Sequence, residues 1–358
     1  MAPVPEIPTR LTALLGCRYP IVQTGMGWVS GPRLTAATCN AGGFGILASA
    51  TMGFEELVAA IAEVKQRTAG PFGVNLRADQ ADVFRRVDLL IEQQVRVASF
   101  AAAPNKEVIA RLKAGGVLCI PTIGAKRHAQ KVADWGVDAV ICQGGEGGGH
   151  TGSVATTILL PQVCSAVSIP VVAAGGFFDG RGLVAALAYG AEGVAMGTRF
   201  LLTQESRVPE QAKQIYLSTD PAGTVVTTAV DGYPQRVIRT PFIDALEKAS
   251  PLRRFVAALR HAVALRQTTG DGWISLLREA WSMKRSQGLT WSQVALAPSA
   301  PMLTKYGLVD GRIEAGILPT GQVAGVIDEL PSVEQLVARI MIEADATLRR
   351  LPVPTTPR

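Results

Sequence analysis

From Pro20 to Phe200 short apolar runs alternate with longer amphipathic ones, and Gly, Pro or Asn marks each change. A chain with that rhythm builds a sheet whose strands are separated by helices, because runs buried on both faces need a helical layer against them. Strand cores are predicted at Ile21–Gln23, Gly45–Ala48, Phe72–Asn75, Arg96–Ser99, Val117–Pro121, Ala139–Cys142, Val171–Ala174 and Gly193–Met196. Eight cores at a spacing of roughly 25 residues suit a closed parallel barrel better than an open doubly wound sheet. The helical half of the repeat is visible in Gly53–Gln66, where Phe54, Leu57, Val58, Ile61 and Val64 fall on one face. After Phe200 the rhythm stops. A β-like run at Thr224–Val230, an Asp231-Gly232 turn and basic helical stretches follow, then a Gly-rich turn at Gly321–Gly325 and an amphipathic helix from Ser332 to about Leu348. The expected fold is α/β: a (β/α)8 TIM barrel with a smaller, mainly helical cap domain. Residues 9–213 are assigned to the barrel, 214–301 to the cap and 302–350 to a C-terminal segment returning to the barrel.

Composition narrows the function classes. Hydrophobic residues make up 48% of the 358-residue chain, charged residues 18% and aromatics 6%, a globular balance in which Ala, Val, Leu and Ile fill the core. Met1–Pro8 carries three prolines and Glu6 instead of a basic start and an apolar run, so no secretory leader is expected. The most apolar stretch, Ile158–Phe178, is broken by Pro161, Gln162, Ser165, Ser168 and Pro170, which argues against a membrane span. A cytoplasmic location is expected. Five cysteines without a C-x-x-C pair read as small buried hydrophobes of a reducing compartment; Cys142 stands next to the richest glycine loop, but no neighbour activates it. The net charge of +6 is local: between Arg236 and Arg285 ten Lys or Arg face Asp244, Glu247, Asp271 and Glu279. Such a segment is either a solvated helical surface or a patch for a phosphorylated ligand. No helix-turn-helix or zinc-finger spacing accompanies it, so nucleic acid is not an expected partner.

In a barrel of this kind chemistry sits on the loops after the strands. The first strand leads into Gln23-Thr24-Gly25-Met26-Gly27, the third ends at Asn75, and the sixth opens into Gln143-Gly144-Gly145-Glu146-Gly147-Gly148-Gly149-His150-Thr151-Gly152. The last two end in Ala174-Gly175-Gly176 and Met196-Gly197-Thr198. Loops seven and eight are where barrels most often take a phosphate on backbone N–H groups, with Thr198 as an added donor; the plainer alternative is that these glycines only make tight turns. Gly42-Gly43-Phe44-Gly45 precedes its apolar run, the reverse of the dinucleotide-binding order. His150, one of three histidines, is the one at a strand's C-terminal end inside a Gly-rich loop. An imidazole there is a candidate general base, against the usual reading of a lone histidine as structural. Neither Glu146 nor any histidine pair has metal-ligand spacing, so no metal is expected.

Gln143–Gly152, with Ala173–Gly176 and Met196–Phe200, resembles the nitronate monooxygenase (2-nitropropane dioxygenase) family over about Thr9 to Leu348. The resemblance implies an FMN-dependent barrel with a small cap, in a family that includes FMN-dependent enoyl-thioester reductases. It further implies FMN contacts from Thr24, Gly25, Met26, Asn75, Gln143, Gly175, Gly176, Gly197 and Thr198, with His150 facing the substrate. The first loop departs from the pattern, reading Thr24-Gly25-Met26 where many members have Ala-Pro-Met, and Gly147 stands in place of the usual Ala. Gln23–Ser30, Gly176–Gly180, Trp273–Lys284, Leu289–Val294 and Tyr306–Gly325 are more similar to a branch acting on a bicyclic hydroxy-indane-carboxyl-CoA thioester in steroid ring breakdown. That implies dehydrogenation, with Arg253, Arg254, Arg260, Lys284 or Arg285 meeting coenzyme A phosphates. A nicotinamide or another carrier serves equally as electron acceptor on this reading, and an oligomer is compatible with it. Rival readings are a nitronate monooxygenase, an FMN-dependent enoyl-thioester reductase and a flavin-binding protein without turnover. The basic segment speaks against the monooxygenase and His150 against the silent binder.

Overall fold

The computed structural model describes residues 4–100, 105–250 and 299–351. Eight parallel strands close into a barrel: β1 (Ile21–Gln23), β2 (Phe44–Ala48), β3 (Gly73–Leu76), β4 (Val97–Phe100), β5 (Leu118–Ile123), β6 (Val140–Gln143), β8 (Val171–Ala174) and β9 (Gly193–Met196). β9 returns to β1, pairing Met196 with Gln23. β1, β8 and β9 coincide with their predicted cores. β3, β4 and β5 run further toward their C-terminal ends, because the ladder continues through Leu76↔Phe100, Phe100↔Pro121 and Ile123↔Cys142.

Strand alternation sorts the apolar residues into two cores. Val22, Phe44, Ile46, Val97, Ile120, Ile141, Val172 and Ala195 fill the barrel interior, closed at the N-terminal end by Leu11 and Leu15 of the helix Arg10–Leu15. Their chain neighbours Ile21, Leu47, Val74, Ala98, Cys119, Val140, Cys142, Val171 and Val194 pack outward under the helices. Asn75, Ser99 and Gln143 share the inward parity, one layer above the apolar plug. The helix predicted at Gly53–Gln66 spans Phe54–Arg67 and buries Leu57, Ala60, Ile61 and Val64. The closing helix spans Val333–Arg350 and starts in a capping box in which Ser332 and Gln335 satisfy each other's backbone N–H.

Beyond the barrel, β10 (Thr224–Thr227) pairs antiparallel with β11 (Gln235–Ile238). β11 in turn pairs with β7 (Gly149–His150), a two-residue strand inside the loop after β6. The described part of the post-barrel region therefore includes a small sheet one strand of which belongs to the barrel's own loop. A third core of Val230, Val237, Ile243, Leu303 and Ile317 lies beneath it, built from the helices Pro241–Lys248 and Ser299–Leu308 and the return segment. The division expected at 213/214 falls within the helix Glu210–Ser218. Tyr216 of that helix is fully buried and donates to the Pro319 carbonyl at 2.8 Å, tying the return segment over the barrel mouth. Among the described residues no helix is long and apolar enough to cross a membrane.

Candidate active site

The C-terminal ends of β1, β3, β6, β8 and β9 meet at one mouth, and parallel closure brings all nine predicted cofactor contacts there. Thr24 is held to the end of β9 twice, its N–H and its hydroxyl both donating to the Met196 carbonyl (3.2 and 3.3 Å). Gly25 sits against Asn75: a Cβ on it would lie 2.5 Å from Asn75 Cβ. The Asn75 amide donates to Ser99 Oγ at 3.0 Å, and its carbonyl accepts from Ser49 Oγ at 2.6 Å. At the far side Gln143 Nε2 donates to the His150 carbonyl at 2.8 Å, which folds the glycine loop back over β6.

The glycines of the mouth divide by purpose. Gly144, Gly147 and Gly148 are pressed on protein: an added Cβ would meet Thr156 Oγ1 at 2.0 Å, Gln143 Nε2 at 2.7 Å and the Thr320 carbonyl carbon at 2.4 Å. They serve close packing within the mouth. Gly175 and Gly176 instead take φ of +90° and +88°, left-handed backbone that turns successive amides to one side. Among the described residues no group accepts from the N–H of Gly176 or Thr198. The Thr198 hydroxyl oxygen accepts from Gly321 N–H at 2.9 Å, which leaves the hydroxyl proton as a donor. Glu146 is a cap: its carboxylate accepts from Thr156 N–H (2.9 Å) and Thr156 Oγ1 (2.7 Å) at the start of the helix Thr156–Cys164, whose N-cap Ala155 has no side-chain oxygen.

His150 is exposed at the rim, and its Nε2 lies 2.8 Å from Asp231 Oδ2. Gln235 Nε2 lies 3.1 Å from the same nitrogen, and the Tyr233 ring meets the imidazole edge-on at 5.8 Å. Asp231 is buried. Burial, then Asp231 and Asp79, push the Tyr233 hydroxyl's pKa up.

The description "Nitronate monooxygenase" is that of the family model matching residues 8–85 and 82–343. The chain belongs to the nitronate monooxygenase family. Among its relatives, a Mycobacterium tuberculosis protein named (3aS,4S,5R,7aS)-5-hydroxy-7a-methyl-1-oxo-octahydro-1H-indene-4-carboxyl-CoA dehydrogenase is 59% identical over 94% of this chain and 96% of its own length. The Rhodococcus jostii protein of the same name is 58% identical over 94% and 95%. A probable nitronate monooxygenase of Staphylococcus aureus is 33% identical over 67% of this chain. FabK from Thermotoga maritima superposes with a TM-score of 0.78 at 35% identity, covering 96% of this chain and 98% of its own.

A flavin is the cofactor class of this nitronate monooxygenase family member, and the mouth fits one. A flavin phosphate needs unspent donors at close backbone approach, and the groups that would hold it are the N–H of Gly176 and the N–H and hydroxyl of Thr198. Thr24 and Met26 adjoin Gly197, where an added Cβ would lie 3.3 Å from Thr24 Oγ1 and 3.4 Å from Met26 Sδ, and Gly25 rests on Asn75.

Three features escaped the sequence. Cys142, next to the glycine loop in the chain, points outward into the helix layer, and burial pushes its thiol up to about 12. Asp231, read as a turn residue, is the partner of His150; an Asp-Gly pair carries no signal of what its carboxylate will meet. Trp28 holds a left-handed φ of +64°, costly for a bulky side chain. It is pinned by Nε1–H to the Pro301 carbonyl (2.9 Å) and by Arg207 Nε–H to its own carbonyl (2.6 Å). Arg253, Arg254, Arg260, Lys284 and Arg285 lie outside the described residues. Of the basic segment's described members, Arg236 donates to the Gly145 carbonyl at 2.9 Å and to Thr224 Oγ1 at 3.0 Å, and Arg239 pairs with Asp244 at 2.9 Å. Arg236 thus joins the post-barrel sheet to the loop after β6, and Arg239 pairs with the helix Pro241–Lys248.

Proposed function

We propose that the protein is an FMN-dependent dehydrogenase that introduces a C=C bond into a bicyclic hydroxy-indane-carboxyl-CoA thioester. The observation that carries this reading is the identity of 59% and 58%, across 94% of the chain, to two proteins of that name. FMN rather than a dinucleotide suits a mouth with a single set of phosphate donors, at Gly175, Gly176, Gly197 and Thr198. On this reading residues 9–213 hold the cofactor, 214–301 face the thioester, and 302–350 close the mouth.

A thioester acidifies the proton on its α-carbon, and His150, exposed at the rim, takes it. When bound, the flavin supplies the acceptor for the β-hydride. Thr24, Asn75 and Gln143 set the walls between which the ring lies. Arg253, Arg254, Arg260, Lys284 and Arg285 meet the coenzyme A phosphates as charge-assisted donors.

The test is anaerobic. The purified yellow protein should release FMN on denaturation, and its flavin should bleach on addition of the indane carboxyl-CoA thioester, far more slowly with the free acid or a nitroalkane. His150→Gln should keep the flavin and lower turnover by roughly a hundredfold to ten-thousandfold, the range for a lost general base. Release of FAD overturns the cofactor assignment, and faster bleaching by nitroalkane or nitronate replaces the dehydrogenase with a monooxygenase.

A further inference from the structure

The imidazole of His150 reaches the mouth with one nitrogen already engaged. Its side chain is 59% exposed, whereas that of Asp231 is 6% exposed, so a buried carboxylate stands behind a solvent-facing ring. The distance from Nε2 to Asp231 Oδ2 is 2.8 Å. Neither a carboxylate oxygen nor a bare imidazole nitrogen has a proton to share, so a contact this short needs one between them, and the imidazole provides it.

We propose that Asp231 is a positioning residue that fixes the Nε2–H tautomer of His150 and thereby leaves Nδ1 as the nitrogen that takes the substrate proton. The inference rests on the reading of His150 as the base. The surroundings agree with it. The second carboxylate oxygen, Oδ1, accepts from Tyr233 N–H at 3.1 Å, which orients Oδ2 toward the ring. Gln235 stands opposite His150 in the β11–β7 register, and its side-chain Nε2, a donor, lies 3.1 Å from His150 Nε2, so an Nε2–H requires the amide to turn over and present Oε1 to the ring. That turn is a rotation of the amide group about its last bond, which exchanges the places of Oε1 and Nε2. Tyr233, edge-on to the imidazole at 81°, restricts rotation of the ring about that contact. The arrangement matches the role of the buried Asp in a Ser-His-Asp triad, which holds a histidine in one tautomer without itself exchanging the proton.

The experiment uses the holoenzyme with 15N-labelled histidine, the His150 signals being assigned by their loss in His150→Gln. The wild type should show an exchange-protected Nε2–H and an unprotonated Nδ1; absence of that protected proton overturns the proposal without recourse to a mutant. In Asp231→Asn the Tyr233 amide keeps the oxygen on its side and turns the NH2 to the ring. The tautomer should then invert to Nδ1–H, and kcat should fall by about a hundredfold or more with KM within about threefold. Asp231→Glu should restore part of the rate. A purely structural pair would cost stability and flavin retention in Asp231→Asn while leaving the tautomer and the kcat of the flavin-loaded fraction unchanged, and that result overturns the proposal. If His150→Gln itself turns over normally, the base assignment falls and the proposal with it. If His150→Gln is inactive but Asp231→Asn keeps Nε2–H and its rate, the role of Asp231 alone is lost.

Discussion

On the proposed reading Gly175 serves the cofactor and the protein at once. Its φ of +90° is open to few side chains, and a Cβ would stand 3.0 Å from the Gly144 carbonyl oxygen and 3.1 Å from Gly147 N, crowding the loop that carries His150. Gly175→Val should therefore strip flavin from the purified protein while the barrel remains folded, read as the ratio of visible to ultraviolet absorbance beside the far-ultraviolet circular dichroism. Flavin content equal to wild type would return Gly175 to the role of a plain turn. At this scale the sequence was legible where a residue's type answers to backbone demand, as for the glycines, and it placed His150 in the loop after β6, where the structure has it. Asp231 was not legible, because it lies 81 positions from His150 and only the pairing of β7 with β11 brings the two together.

At the scale of elements, the closing helix Val333–Arg350 lies against the helix Gly180–Ala188. Gly180 is the point of closest approach: a Cβ there would lie 2.4 Å from both Ala344 N and the Ile340 carbonyl oxygen. Those are backbone atoms, so the helices would have to part. Gly180→Ala should destabilise the fold by about 1–3 kcal/mol, the range for overpacking, and Ser332→Ala by about 1 kcal/mol through loss of the capping box. Denaturant midpoints of the two variants measure this, and a Gly180→Ala midpoint equal to wild type would show that the helix pair is not a tight contact. The helix was predicted to start at Ser332, which is its N-cap, since capping chemistry is local and survives in the sequence. β7 was not predicted. Its two residues have no strand pattern of their own, and their extended form comes from the partner β11.

For the whole molecule the distribution of charge matters most. The segment from Arg236 to Arg285 carries ten Lys or Arg against four acids, equal to the net charge of the entire chain. Arg236 and Arg239 are engaged by the loop after β6 and by the helix Pro241–Lys248, so the reading of a phosphate-binding surface falls on the later cations. Reversing Arg253 and Arg254 to Glu together should raise KM for the thioester and make it less sensitive to salt, because exposed ion pairs are screened over a Debye length of about 8–10 Å. Flavin content should not change. A KM that ignores both the substitutions and added salt would assign this basic run to a solvated surface.

Alternating apolar runs and their glycine stops determined the barrel and the end of it that bears the site. Burial on two faces and the turn from strand to helix are demands met within a few residues, and each leaves its mark in the local pattern. Tertiary structure alone decided which glycines of the mouth abut protein, that Cys142 points away from the mouth, and that Asp231 stands behind His150. Those facts depend on strand parity, on ring closure between β9 and β1, and on a return segment laid over loop six. Each joins residues far apart in the chain, and contact energy at such separations follows from geometry that no local pattern records.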